Sequence, residues 1–232
     1  METDSRTLAI DIGGSGLKIM VLDPEGNPLT DRIRKPTPDE PLPGPVIDIL
    51  HRMAKGVGEF DRVSVGFPGV VVDGEVRTAV NLHEDWIGVN IARELEDRTG
   101  KPTRAANDAD IQGLGVIEGK AVELVLTLGT GMGSALFVGG RLVPNLELGH
   151  HPFRKNKTYE DVIGDAALKK GGEDKWNKRV SEAIRVLDHI FNYRMLYIGG
   201  GNAKRIDFQL PANVQTVPNV AGLLGGIALW QQ

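Results

Sequence analysis

The chain contains no cysteine in its 232 residues. That absence excludes a disulfide framework and every thiolate-ligated zinc or iron–sulfur centre. There is no excess of positive charge either: 27 Lys and Arg stand against 31 Asp and Glu, for a formal net charge of -4. No overall basic field would gather nucleic acid or anionic lipid. No run of ~18 apolar residues occurs, and the opening METDSRTLAIDIGG has no apolar stretch of signal-peptide length. The expectation is a soluble cytoplasmic protein with neither membrane nor nucleic acid as partner. What is present suits a globular fold. Hydrophobic residues make up 41% and charged residues 25%, and the length allows one large domain or two small ones. Glycine is over-represented, at 30 residues or about 13% against a usual ~7%, and it is clustered.

Leu8–Ile12 is an apolar run with one acid, followed by Gly13-Gly14-Ser15-Gly16 and a second run, Leu17–Leu22. A turn at Asp23–Asn27 and a polar strand over Pro28–Arg34 come next. The second half repeats this plan with Val122–Leu128, Gly129-Thr130-Gly131-Met132-Gly133, Ser134–Val138, Gly139-Gly140 and Arg141–Val143. Between them, a five-proline loop spans Lys35–Pro45, and Val46, Ile49, Leu50, Met53 and Val57 mark one helical face. Short strands fall at Val63–Gly66 and, on either side of the turn Asp73-Gly74, at Val70–Val72 and Val76–Ala79. Asn90 caps a helix ended by Gly100, and a strand at Thr103–Ala106 runs into a helix opening at Asn107-Asp108. An apolar stripe from Trp176 to Phe191 reads as a core-facing helix. Strands at Met195–Ile198 and Val214–Val217 and a helix from Val220 to Trp230 close the chain. Two related halves of mixed strands and helices predict an α/β protein with two lobes and a cleft. The expected division is 1–106 and 107–218, with 219–232 packing back on the first lobe.

Glycines let a backbone turn tightly and bring its N–H groups against an anion. Neither cluster is a P-loop, and both lead into a strand rather than the helix of a dinucleotide motif. A hairpin turn without a ligand explains either one alone. Two such hairpins, one with Asp11 just before the turn and one with Thr130 inside it, suit a phosphate chain with a metal ion near Asp11.

The run Ile10-Asp11-Ile12-Gly13-Gly14-Ser15-Gly16-Leu17-Lys18 resembles the first phosphate motif of the ROK (repressor, open reading frame, kinase) sugar kinases. Further resemblances follow in order at Gly66-Phe67-Pro68-Gly69-Val70, Asn81-Leu82 with Trp86-Ile87-Gly88, and Asn107-Asp108-Ala109-Asp110. They continue at Leu128–Gly133, Glu147-Leu148-Gly149-His150 and Gly199-Gly200-Gly201-Asn202, so that they cover the chain from about residue 8 onward. The compact length, the run Gly13-Gly14-Ser15-Gly16-Leu17-Lys18 and the Trp86-Ile87-Gly88 segment are similar to the polyphosphate glucokinase branch of that family. The resemblance implies the two-lobed actin-like ATPase fold, a duplicated ribonuclease-H-like plan with an inter-lobe cleft. It also implies phosphoryl transfer from ATP or polyphosphate to a hexose 6-hydroxyl, most simply that of glucose, and a homodimer.

Asp108 is the candidate general base, although an Asp at that position can equally serve as a helix N-cap. Asn107, Glu147 and His150 would clamp the sugar, with Asn81 and Asp110 as weaker additions. Glu147 and His150 taken alone could be an exposed loop pair. On the donor side, Asp11 would hold Mg²⁺ through water, and Gly13, Gly14, Ser15 and Gly16 with Thr130 and Gly131 would contact phosphates. Lys18 would add charge or be a solvated strand lysine. Gly200 and Gly201 would admit a nucleotide base close to backbone, or be structural if the donor is polyphosphate.

The chain departs from the family pattern in one place. Many ROK kinases carry a His/Cys zinc site after the Glu-Leu-Gly-His motif and a further sugar-binding Glu near it. No structural zinc is expected here, and Glu160 reads as the first turn of a helix capped by Thr158. The basic residues Arg154, Lys155, Lys157, Lys169 and Lys170 form either a track for an anionic polymer or a solvated surface. The other readings are a kinase for a different hexose or an amino sugar, and a sugar-binding protein without catalysis. A DNA-binding regulator is disfavoured because only about seven residues precede the first strand.

Overall fold

The computed structural model describes residues 5–79, 82–218 and 221–231. They form two compact units, 5–115 with 221–231 and 116–218. The division therefore falls after Gly115 rather than after Ala106. The helix that opens at Asp108 stays with the first unit because the C-terminal segment packs on it.

The first unit is built on a five-stranded mixed sheet. Strands β1 (Thr7–Gly13) and β2 (Gly16–Leu22) form a hairpin across the first glycine turn, and β3 (Ile33–Lys35) adds to its edge. Helix α1 (Pro43–Gly56) begins inside the expected proline loop, since prolines in a first turn lack only an N–H that has no intrahelical partner. Then come β4 (Arg62–Phe67), the small hairpin β5 (Val71–Val72) and β6 (Glu75–Val76), helix α2 (Ile91–Thr99), β7 (Thr103–Asn107) and α3 (Asp108–Leu114). The sheet order is β3-β2-β1-β4-β7, with β4 and β7 parallel to β1. The third strand is shorter than the expected Pro28–Arg34: Pro28 makes only a bridge to Leu22, and Thr30 turns its Oγ1 to accept from the Val21 amide.

Alternation along β1 separates two faces. Leu8, Ile10 and Ile12 join Val46, Leu50, Met53, Ile91 and Leu95 of α1 and α2 in one core, while Ala9, Met20 and Leu22 meet Leu223 and Ile227 on the other side. The closing segment is α-helical only at Ala221–Leu224 and continues as 3₁₀ turns over Gly225–Trp230. Gly225 there touches the Ile111 carbonyl so closely that it has no room for a Cβ. Ser64 Oγ donates to the Gly226 carbonyl at 2.6 Å, and Trp230 Nε1 donates to Ser64 Oγ at 2.9 Å.

The second unit repeats the plan. Its strands are β8 (Val122–Leu128), β9 (Met132–Val138), β10 (Arg141–Val143), the hairpin β11 (Pro152–Arg154) and β12 (Lys157–Thr158), β13 (Met195–Gly199) and β14 (Val214–Thr216). Helices α4 (Tyr159–Ile163), α5 (Asp165–Gly171) and α6 (Glu173–Phe191) lie between β12 and β13. The sheet order, β10-β9-β8-β13-β14, and its parallel and antiparallel pairings copy the first sheet. The registers correspond as well. Asp11 pairs with Lys18 and Gly66, as Thr127 pairs with Gly133 and Gly199. This is the duplicated plan of the actin-like ATPase fold. Trp176, Val180, Ile184 and Leu187 of α6 fill the second core against Leu124, Leu126, Leu196 and Ile198.

Candidate active site

In the first unit the C-terminal ends of β1, β4 and β7 lie at one edge, the edge where open α/β sheets bind ligands. Asp11 and Asp108 both belong there. Asp11 is two residues from the end of β1, and its cross-strand partner Gly66 faces the Asp108 backbone and Ile111, so the Asp11 carboxylate emerges on the α3 side of the sheet. Lys18, directly opposite Asp11 on β2, places Nζ 2.6 Å from Asp11 Oδ2.

Asn107 is the N-cap of α3. Its Oδ1 accepts from the Ala109 amide at 2.8 Å and the Asp110 amide at 3.3 Å, and its Nδ2 donates to the Gly69 carbonyl at 3.1 Å. Asp108 is thereby the first residue of the helix rather than its cap. It is half-buried at the positive end of α3, a position that favours a carboxylate. Asp110 is buried within α3, 1% exposed. Asn81 lies outside the described residues.

Gly16 has an ordinary backbone and is covered only by the end of a flexible side chain. A Cβ on Gly16 would sit 2.7 Å from the Nε and Nη2 of Arg34. Arg34 Nη2 donates to the Ser15 carbonyl at 2.9 Å, and Thr37 Oγ1 donates to the Gly13 carbonyl at 2.5 Å. Gly14 and Ser15, both exposed, form the tip. Beside it a cavity of about 600 Å³ is lined by Ser15, Thr37, Asp39, Glu40, Leu82 and His83 among others. Trp86 shapes its wall: the buried indole donates to the Pro41 carbonyl at 2.7 Å and packs 5.1 Å from the Phe67 ring.

In the second unit the motifs gather around the end of β8. The turn carrying exposed Thr130 is held from behind, because the Asp165 amide donates to the carbonyls of Gly129 and Thr130 and Asn202 Nδ2 donates to Gly129. Gly200, at φ 87, lies against the Leu128 backbone where no Cβ fits, whereas Gly201 faces open space. Ser134 Oγ donates to the Leu146 carbonyl at 2.5 Å and accepts from the Leu148 amide at 3.1 Å, which fixes the segment bearing Glu147. Glu147 Oε2 is 3.4 Å from His150 Nε2.

Glu160 joins this group from where the sequence placed it, the first turn of a helix capped by Thr158, although its contact with the glycine turn was not read. The β11–β12 hairpin, stacked through Phe153 on Tyr159 at 4.4 Å, and the capping box of Thr158 and Asp161 deliver it. Its Oε2 accepts from the Met132 amide at 3.0 Å, and its carboxylate lies over Gly131 where a Cβ would stand. Burial, with the Glu160 charge added, raises the Glu147 carboxyl above the usual range, and His150 opposes the shift. Two acceptors and an imidazole within one loop system are what a polyol needs. Beyond acidic preference in a first helical turn, the one signal for Glu160 was the family resemblance, which implies a further sugar-binding Glu near the Glu-Leu-Gly-His motif.

Of the basic residues, Arg154 pairs with Glu182 at 2.7 Å and Lys169 with Asp165 at 2.6 Å, while Lys155, Lys157 and Lys170 are exposed. Among the described residues no group of three or more His, Cys, Asp or Glu could hold a metal, and no helix is long and apolar enough to cross a membrane.

The ROK family pattern matches residues 7–161, two thirds of the chain. The chain belongs to the ROK family. Among ROK relatives, the polyphosphate glucokinase of Mycobacterium tuberculosis is 31% identical over 96% of this chain and 90% of its own length. The crystal structure of the inorganic polyphosphate/ATP-glucomannokinase of Arthrobacter sp. strain KM superposes with a TM-score of 0.87 at 32% identity, covering 97% of this chain and 99% of that one. A ROK glucokinase of Streptomyces griseus, crystallised with glucose and AMPPNP, shares the fold at a TM-score of 0.84 and 20% identity, over 98% and 100% of the two chains.

Proposed function

We propose that this chain is a sugar kinase that transfers the terminal phosphoryl group of polyphosphate or ATP to the 6-hydroxyl of a hexose, glucose first. The observation that carries the reading is the division of labour at the start of α3. Asn107 takes the cap, which leaves the Asp108 carboxylate at the strand edge beside the face that bears Asp11. Similarity over almost the whole length of a polyphosphate glucokinase supports the same reaction.

Phosphoryl transfer is mostly positioning and charge stabilisation. The acceptor oxygen attacks the terminal phosphorus, its proton passes to Asp108, and the bond to the bridging oxygen of the donor breaks. Glu147, His150 and Glu160 are ligands of the sugar hydroxyls, Asn81 and Asp110 are weaker ones, and Asn107 fixes the base. Gly13, Gly14, Ser15, Gly16 and Lys18 are donor-phosphate ligands, as are Thr130 and Gly131, and Gly201 admits a nucleotide base beside Gly200. Mg²⁺, when bound, neutralises donor charge. Asp11, half-buried and already paired with Lys18 at 2.6 Å, fits only an ion held mainly by water and phosphate. Homodimerisation in the cytoplasm completes the reading and rests on resemblance to ROK kinases.

The test is glucose 6-phosphate formation with Mg²⁺ and either donor. The glucomannokinase likeness makes mannose the second acceptor to try.

A further inference from the structure

The two duplicated glycine turns carry opposite charges. Over Gly131 lies the Glu160 carboxylate, and over Gly16 lies the Arg34 guanidinium. Arg34 stands directly opposite Lys18 in the β2–β3 ladder, and Lys18 directly opposite Asp11 in the β1–β2 ladder. Residues opposite one another across antiparallel strands share a face, so Arg34, Lys18 and Asp11 form one row on the α3 side. Lys18 is neutralised by Asp11, whereas among the described residues Arg34 has no ion-pair partner. Its side chain instead runs along the face to the turn, where one of its five N–H donors is used on the Ser15 carbonyl. The remaining donors and the whole charge stay at an exposed surface. The cavity that adjoins the tip of the turn at Gly14 and Ser15 is walled by Asp39 and Glu40, whose charges disfavour an anion there.

We infer that Arg34 is a ligand of the anionic donor and sets the direction in which a polyphosphate chain leaves the first glycine turn. This rests on the kinase reading above. A guanidinium binds phosphate oxygens in bidentate fashion, and no backbone amide in the turn supplies net charge.

Three variants and two measurements test it. Arg34→Ala and Arg34→Gln remove the charge, while Gln keeps an N–H for the Ser15 carbonyl; Arg34→Lys keeps the charge. Thermal midpoints confirm folding, which an exposed side chain should not disturb. In steady-state assays, Ala and Gln raise the KM for polyphosphate at least tenfold and leave the KM for glucose within twofold, and Lys stays within about threefold of wild type. Calorimetric titration with inorganic tripolyphosphate reads the same ranking without turnover. If wild type binds tripolyphosphate but phosphorylates no sugar, the kinase reading fails, and the ranking of the variants still decides the role of Arg34. Restoration of donor affinity by Gln would reduce Arg34 to a prop for the turn and overturn the inference. So would unchanged donor affinity in Ala, or no binding of tripolyphosphate to wild type.

Discussion

Replacing Asn107 by alanine should cost both stability and rate, and the size of each can be worked out beforehand. The side chain is 8% exposed, and three of its hydrogen bonds enter the calculation. Two of them cap α3, and losing an Asn cap costs about 1 kcal/mol. The third satisfies the buried Gly69 carbonyl, and orphaning that group adds about 1–2 kcal/mol. A loss of about 2–3 kcal/mol corresponds to a fall in midpoint of roughly 5–10 °C for a chain of this size. Two of the three tryptophans, Trp86 and Trp230, belong to the first unit, so thermal or urea unfolding followed by fluorescence reports mainly on it. Asn107→Ser keeps a cap acceptor and gives up only the Gly69 bond, so it should lose about half as much. Because Asp108 is the next residue, the alanine variant should also lower kcat by about 10²-fold, the usual cost of a base displaced by an ångström. A variant with wild-type stability would refute the cap. Glucose affinity lost while kcat holds at saturation would make Asn107 a sugar ligand instead.

Asp108→Asn should reduce kcat by about 10²–10⁴-fold while glucose affinity, read by titration, stays within a few fold; lost binding with turnover preserved would remove Asp108 as base. Glu147 has its carboxyl raised by burial, so its charge is disfavoured in the fold. That cost is present above the folded value and vanishes as pH falls below the ordinary Glu range near 4.3. Glu147→Gln should therefore melt above wild type at pH 7.5, with the gain shrinking toward pH 4 by calorimetry. A lower midpoint at pH 7.5 would show that the His150 pair dominates. Trp230→Ala should destabilise the first unit by about 2–3 kcal/mol by circular dichroism, since the ring lies 4.7 Å from Arg104 and 5.1 Å from Arg62 and its N–H holds Ser64. Trp230→Phe, which keeps the ring, should lose less.

How far the sequence could be read depends on whether a feature is local. The two hairpins were legible because alternation and glycine turns are encoded within about fifteen residues, and the repetition at Val122–Val143 exposed the duplication. The caps at Asn90 and Gly100 were legible for the same reason. The placement of α3 was not. Asn107-Asp108 signals a helix start, but only the packing of the C-terminal segment on α3 assigns that helix to the first unit. Sequence spacing also could not tell which of the two residues was the cap, and the structure gives that role to Asn107. Glu160 and Arg34 make contacts that were illegible for a related reason. Each reaches a glycine turn about 18 to 29 residues away in sequence, and what marks the contact is the missing Cβ of Gly16 or Gly131. The basic run after His151 looked like one feature, yet Arg154 is tied to Glu182 on a helix that only the fold brings near, and Lys169 to Asp165 one turn back on its own helix.

The most direct measurement is a coupled assay for glucose 6-phosphate, with Mg²⁺, glucose and either ATP or polyphosphate freed of nucleotide, run on wild type beside Asp108→Asn. The expected result is turnover by wild type with polyphosphate, ATP or both, reduced by at least a hundredfold in the variant. No phosphorylation of glucose, mannose or other hexoses by wild type with either donor would contradict the assignment of this chain as a sugar kinase.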